Sequence, residues 1–228
     1  MVQSPRPQVL ITGAARRIGA VLARRFAADG WHVVIHAGHS AALARDLAAT
    51  LPSAEVVEAD LLDLDAALAM IADLAGRLED WRVLVNCAAV FRPDTAEGID
   101  PGIFAEAIRV NAETPTAMAQ AFLKQARARG GKRVIQFLDQ KLLNPNPDFF
   151  SYTMAKHAFA STVRMLAMAA PDPATRVYGL APGAMMPSWD QAAEEHELSG
   201  RMNLLKRLTD PDELADAALF MARGPKGS

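Results

Sequence analysis

Residues 8–26 read QVLITGAARRIGAVLARRF. A short apolar run, Val9-Leu10-Ile11, leads into a turn carrying Thr12, Gly13 and Gly19, and Ile18, Val21, Leu22 and Phe26 then recur at helical spacing. The pattern is strand, glycine turn, helix. A helix N-terminus carries unpaired N–H groups and about half a positive charge, so this turn suits a phosphate. Small residues let the backbone approach a pyrophosphate closely. A tight turn can also need glycine for packing alone, so the rest of the chain has to decide between the two.

Outward from that stretch, strands and helices alternate. Strands are expected at Trp31–His36, Glu55–Glu58, Val83–Val85, Arg133–Phe137 and Arg176–Ala181. Helices are expected at Ala41–Thr50, Leu64–Leu78, Pro101–Asn111, Thr114–Arg129 and Ser151–Ala170. A last helix follows Asp210-Pro211-Asp212-Glu213, with Asp210 as cap, proline at its first position and Glu213 closing a capping box. Such alternation implies an α/β fold: a doubly wound parallel sheet with helices on both faces, in one domain over residues 1–228. Ligands of such sheets bind beyond the carboxyl ends of the strands. Thr12–Gly19, Ala37–Ser40, Asp60, Asn86–Phe91, Asp139 and Pro182–Met186 lie there.

Composition bounds the function classes. The 228 residues are 51% hydrophobic and 22% charged, with net charge -2, which points neither to nucleic acid nor to an anionic membrane surface. A single cysteine, Cys87, rules out an internal disulfide and fits a reducing compartment. No apolar run approaches the roughly 20 residues that span a bilayer, and Met1–Pro7 lacks the apolar core of a signal peptide, so a cytoplasmic protein is expected. His32, His36, His39, His157 and His196 show no metal-ligand spacing, and neither a Walker A lysine nor a Ser-His-Asp signature is present.

Tyr152 and Lys156 stand four residues apart, on one face of a helix. A cation about 4 Å from a phenol, at an effective dielectric near 20, interacts by roughly 4 kcal/mol. Before desolvation that could lower the phenol pKa by up to about three pH units, making it a usable proton donor.

The glycine turn, Asp60, Asn86-Cys87-Ala88, Asn111, Tyr152-Thr153-Met154-Ala155-Lys156 and Pro182-Gly183 follow in an order that resembles the short-chain dehydrogenase/reductase family, over roughly Val9 to Ala222. The resemblance implies a Rossmann-like sheet and a nicotinamide cofactor. Tyr152 would be the general acid. Lys156 would hold the nicotinamide ribose and Asn111 a relay water. The turn residues Thr12, Gly13, Arg16, Arg17, Ile18 and Gly19 would hold phosphate. Asp60-Leu61 would meet the adenine, Asn86 and Ala88 the adenosine ribose, and Pro182-Gly183 the nicotinamide. Homodimers or homotetramers through the two long helices are expected on the same ground.

Three departures resemble one branch, the pteridine and dihydromonapterin reductases. Arg17 replaces the middle glycine of the turn, Asp139 replaces the catalytic serine thirteen positions before Tyr152, and Phe91 follows Asn86. In that branch the arginine lies between phosphate and substrate, the aspartate partners the tyrosine, and the phenylalanine stacks the pterin. A carboxylate can only accept a hydrogen bond, and it raises a neighbouring phenol's pKa, opposing Lys156 and keeping Tyr152 protonated for reduction. The stretch after the second strand, Ala37-Gly38-His39-Ser40, lacks the acid that holds a ribose 2′-hydroxyl. With Arg16, His39 and Ser40 nearby, NADP(H) is the expected cofactor, His39 standing where the branch has arginine. Cys87 and Ala89 depart from the branch, and Cys87 reads as an inert buried thiol. Met185, Met186, Trp189 and the segment to Met202 fall in the family's substrate lid, with Met185 as a substrate contact. The sequence ends at Ser228 without the family's last strand. An NADPH-dependent pterin reductase is therefore expected, with carbonyl reduction or a non-catalytic NADP-binding module as alternatives.

Overall fold

The computed structural model describes residues 6–186 and 205–224. Six parallel strands form one sheet: β1 Gln8–Ile11, β2 His32–Ala37, β3 Ala54–Glu58, β4 Trp81–Asn86, β5 Arg133–Phe137 and β6 Arg176–Leu180, in the order β3-β2-β1-β4-β5-β6. The central β1 pairs Val9 with Val33 on one side and with Val83 on the other. Strands covered on both faces read as apolar runs rather than alternating ones, which is why they were legible in the sequence.

Alternate strand residues feed two cores. Val9, Ile11, Val33, Ile35, Val85 and Phe137 pack against α1 (Arg17–Ala28), α2 (Ala41–Thr50) and α7 (Pro211–Arg223). Leu10, Val34, Leu84 and Val134 pack against α3 (Leu64–Arg77), α5 (Thr114–Gln125) and α6 (Phe150–Ala169), where Trp81 meets Phe122 edge-on at 4.8 Å. The chain order reverses between β1 and β4, and that switch point is where such sheets open a ligand crevice.

Three local expectations are corrected. The helix expected over Pro101–Asn111 ends at Ile108, as α4 (Pro101–Ile108), and a π-helical turn, Arg109–Glu113, runs on into α5 without a break. Helix α5 stops at Gln125 rather than Arg129 because the following segment is recruited to the amino end of β4. There the Arg127 carbonyl accepts from Trp81 N–H at 2.7 Å, and Arg129 N–H donates to Asp80 at 2.8 Å. Asp210 does cap α7, accepting from Asp212 N–H at 2.8 Å, but Glu213 pairs with Arg207 instead of closing a capping box. No helix among the described residues is long and apolar enough to cross a membrane.

Candidate active site

The turn between β1 and α1 is built to stay in place. Gly13 has φ +65, and a Cβ there would lie 2.9 Å from Ala88 Cα; one on Gly19 would lie 2.4 Å from the Gly13 carbonyl oxygen. Only glycine permits both close approaches. Thr12, 1% exposed, accepts from the N–H groups of Cys87 and Ala88 at 3.0 Å each, tying the turn to the end of β4. Thr12 thus shapes the site from inside it. The N-cap of α1, Arg16, makes no side-chain cap, and the first turn holds no acid, so neither the cap nor the first turn neutralises the positive end of that helix. Arg16 and Arg17 are exposed beside Ile18.

Arg17 takes φ +52, in the left-handed region that favours glycine, and its guanidinium reaches across to the Met186 carbonyl at 3.4 Å. A non-glycine residue there is strained by about 1–2 kcal/mol. Arg17→Gly is therefore expected to raise the unfolding temperature of the ligand-free protein by about 2–4 °C in calorimetry. An unchanged or lower temperature would show that the Met186 contact outweighs the strain.

At the end of β2, His39 is exposed and Ser40 caps α2 only by position, making no side-chain bond to it. The first turn of α2 also lacks an acid. Asp60 is exposed, with one oxygen accepting from Leu62 N–H at 2.9 Å, while Asp63 supplies the cap of α3. The buried Leu61 offers its carbonyl to the Thr114 hydroxyl at 2.8 Å.

The carboxyl ends of β4 and β5 and the start of α6 form the chemical corner. The Tyr152 hydroxyl donates to Asp139 Oδ2 at 2.7 Å, and Lys141 N–H donates to Asp139 Oδ1 at 2.8 Å, so one carboxylate both caps a short 3-10 turn, Gln140–Leu142, and faces the phenol. Lys156, 3% exposed, donates to the Phe137 carbonyl at 2.6 Å, and burial lowers its pKa to about 8. Of the two opposing pulls expected on the Tyr152 phenol, the upward one of Asp139 prevails over the downward one of Lys156. Burial first, then the Asp139 carboxylate, push the phenol well above its usual range, while the Lys156 ammonium is aimed at Phe137. Tyr152 is consequently held as a protonated phenol. Burial likewise pushes the Cys87 thiol up to about 12, which makes it inert as a nucleophile.

Two asparagines turn inward. The Asn111 amide, 1% exposed within the π-helical turn, accepts from Val90 N–H and donates to Val90 O, each at 2.9 Å. Its side chain holds the loop that carries Phe91. Asn86 donates to the Pro115 carbonyl at 3.0 Å and to Gln136 at 2.8 Å, stitching β4 to α5 and β5.

Phe91 stands edge-to-face with Tyr152, ring centroids 4.7 Å apart, and its other neighbour is Phe149, stacked at 3.8 Å. Phe149, at φ +54, and Asp94 carried no signal in the sequence. The Asp94 carboxylate accepts from Ser151 N–H at 3.0 Å and from the Ser151 hydroxyl, giving α6 an N-terminal cap borrowed from the Phe91 loop. Pro182 offers its carbonyl to Gln140 N–H at 3.1 Å, beside Gly183, and Met185 packs, partly buried, against the core on the α1 side of the sheet. Trp189, His196 and Met202 lie outside the described residues.

The sequence and the fold were compared with known proteins. A family model described as enoyl-(acyl carrier protein) reductase matches residues 13–226. Galactitol 2-dehydrogenase of Agrobacterium fabrum is 29% identical over 93% of this chain and 89% of its own length. Pteridine reductase 1 of Leishmania tarentolae is 28% identical over 97% of this chain and 92% of its own. Among solved structures, FolM alternative dihydrofolate reductase 1 from Brucella canis, complexed with NADP, superposes with TM-score 0.89 at 30% identity over 96% of this chain and 88% of that one. The angucycline C-6 ketoreductase LanV with bound NADP superposes with TM-score 0.85 at 25% identity over 95% and 88%. With nearly the whole chain covered by the family model and by the Brucella fold, this protein belongs to the short-chain dehydrogenase/reductase family and is an oxidoreductase.

Proposed function

We propose that the protein is an NADPH-dependent reductase of a pterin. The observation that carries this reading is the Tyr152 hydroxyl held at 2.7 Å by a carboxylate, not a serine, with Phe91 against the same ring. The Brucella FolM and Leishmania pteridine reductase likenesses support it.

The site fits the cofactor. Two helix N-termini without acids in their first turns, those of α1 and α2, sit on one sheet edge and suit a pyrophosphate and a 2′-phosphate. Thr12, Gly13, Ile18 and Gly19 shape the first, with Arg16 and Arg17 beside it. His39 and Ser40 border the second. Asp60-Leu61 border the adenine, Ala88 and Asn86 back the adenosine ribose, and Pro182-Gly183 border the nicotinamide. When bound, the cofactor supplies the hydride. Tyr152 donates its proton to the substrate nitrogen. Asp139, half-buried, keeps that phenol protonated and connects it to solvent. Lys156 holds ribose hydroxyls, Asn111 fixes the Phe91 loop, and Phe91, Arg17 and Met185 wall the pterin. The exposed Met165 and Met168 of α6 fit a homo-oligomer through α5 and α6, which light scattering would measure.

Because burial brings Lys156 down to about 8, its cation is lost as pH rises through that value. The kcat/KM for NADPH is expected to fall about tenfold per pH unit above it, with no limb from Tyr152; a profile flat through the alkaline range would count against the ribose role. The reading as a whole is tested by loss of NADPH absorbance with dihydrobiopterin and dihydrofolate against a panel of ketones. Turnover of ketones alone would give the LanV-like alternative, carbonyl reduction. NADPH binding with no turnover of either would give the non-catalytic module.

A further inference from the structure

His36 lies inside β2, 2% exposed, and both of its ring nitrogens are used. Gly13 N–H donates to Nδ1 at 3.2 Å, which puts the ring proton on Nε2, and Nε2 donates to the Ala59 carbonyl at 3.0 Å. Gly13 opens the turn at the α1 N-terminus, and Ala59 precedes Asp60. One imidazole therefore spans the two walls that would meet opposite parts of a dinucleotide. The backbone repeats the span: the His36 carbonyl accepts from Ala14 N–H at 3.0 Å, and the Ala37 carbonyl from Ala59 N–H at 3.3 Å.

We propose that His36 is a positioning residue for the cofactor, a strut whose Nδ1 acceptor fixes the glycine turn at the height the pyrophosphate requires. The proposal rests on the turn being the cofactor site. Gly13 cannot retreat, because Ala88 stands 2.9 Å behind the place of its missing Cβ. Without that acceptor its N–H, held inside the fold, loses the partner that fixes the turn. Burial holds the ring neutral against the opposing pulls of the Ala59 bond and the Asp60 charge, so the acceptor lone pair persists at neutral pH.

The isosteres separate strut from filler. Asparagine places Oδ1 where Nδ1 stands and keeps the bond to Gly13. Glutamine reaches towards Ala59 and leaves Gly13 unpaired, as phenylalanine also does. NADPH fluorescence titration gives affinity without turnover, and ligand-free unfolding temperature reports the fold. His36→Phe and His36→Gln are expected to raise the NADPH Kd about tenfold or more. His36→Asn should stay within about threefold of wild type, with kcat at saturating NADPH unchanged in all three. Affinities that follow the unfolding temperatures rather than the Gly13 acceptor, or that do not change, overturn the strut alone. A wild-type protein that does not bind NADPH overturns the cofactor reading and the strut with it.

Discussion

Tyr152→Phe is expected to lower kcat by about 10²–10⁴-fold, the range for removing a positioned general acid, while NADPH affinity stays within about twofold. The phenol is 6% exposed and its ring is fixed by the edge contact to Phe91, so phenylalanine keeps the packing and deletes one oxygen. The Asp139 oxygen left without the hydroxyl is half-buried and open to water, and the other oxygen still takes Lys141 N–H, so no buried charge is orphaned. The defect should therefore appear in single-turnover NADPH oxidation and not in fluorescence titration of NADPH or in the unfolding temperature. A variant that retains a tenth or more of wild-type kcat would remove Tyr152 as the proton donor and leave hydride transfer without a side-chain acid.

The layers of the fold were written locally, because strands buried on both faces must be apolar throughout and helices must repeat at 3.6. Where the expectations slipped, a tertiary bond won over a local preference. Nothing in RVNAE signals a π-helical turn; it forms where Asn111 has to present both amide ends to Val90, a loop and a helix away. Arg127 and Arg129 suit a helix, yet Trp81 at the amino end of β4 and the buried Asp80 claim their backbone. Both overrides come from residues distant in sequence, which periodicity cannot see.

The site divides in the same way. Tyr152, Lys156 and Asp139 were readable because their spacings are carried by one helix and one strand end. The upward pull of Asp139 on the Tyr152 phenol was readable too, but the larger contribution of burial and the aim of the ammonium were not, since both are properties of the packed state. His36 read as one more strand residue, and Asp94 carried no reading at all. Each gains its meaning from partners more than twenty residues away: Gly13 and Ala59 for His36, and Ser151 for Asp94. Phe149 had no signal at all, for a left-handed phenylalanine breaks the local rule and is held there by the Phe91 stack.

Asp139→Ser is expected to cut kcat/KM for a dihydropterin by about tenfold to a hundredfold and to leave slow ketone turnover equal or higher. A serine hydroxyl can donate to a carbonyl oxygen, which a carboxylate cannot, so the swap turns the corner from one that accepts to one that donates. It also removes the charge that, after burial, does most to hold the Tyr152 proton. The phenol pKa must fall in the variant. The proton donor is then lost at a lower pH than in wild type, so an alkaline limb should move into range and alcohol oxidation should become measurable there. Asp139→Asn separates charge from geometry, since its Oδ1 can still accept from Lys141 N–H and keep the short turn after β5. If asparagine matches serine on both substrates, charge is the cause; if asparagine stays near wild type, the lost turn is. Equal dihydropterin turnover by wild type and Asp139→Ser would sink the idea that the carboxylate selects C=N reduction, and the carbonyl reading would then be the better one.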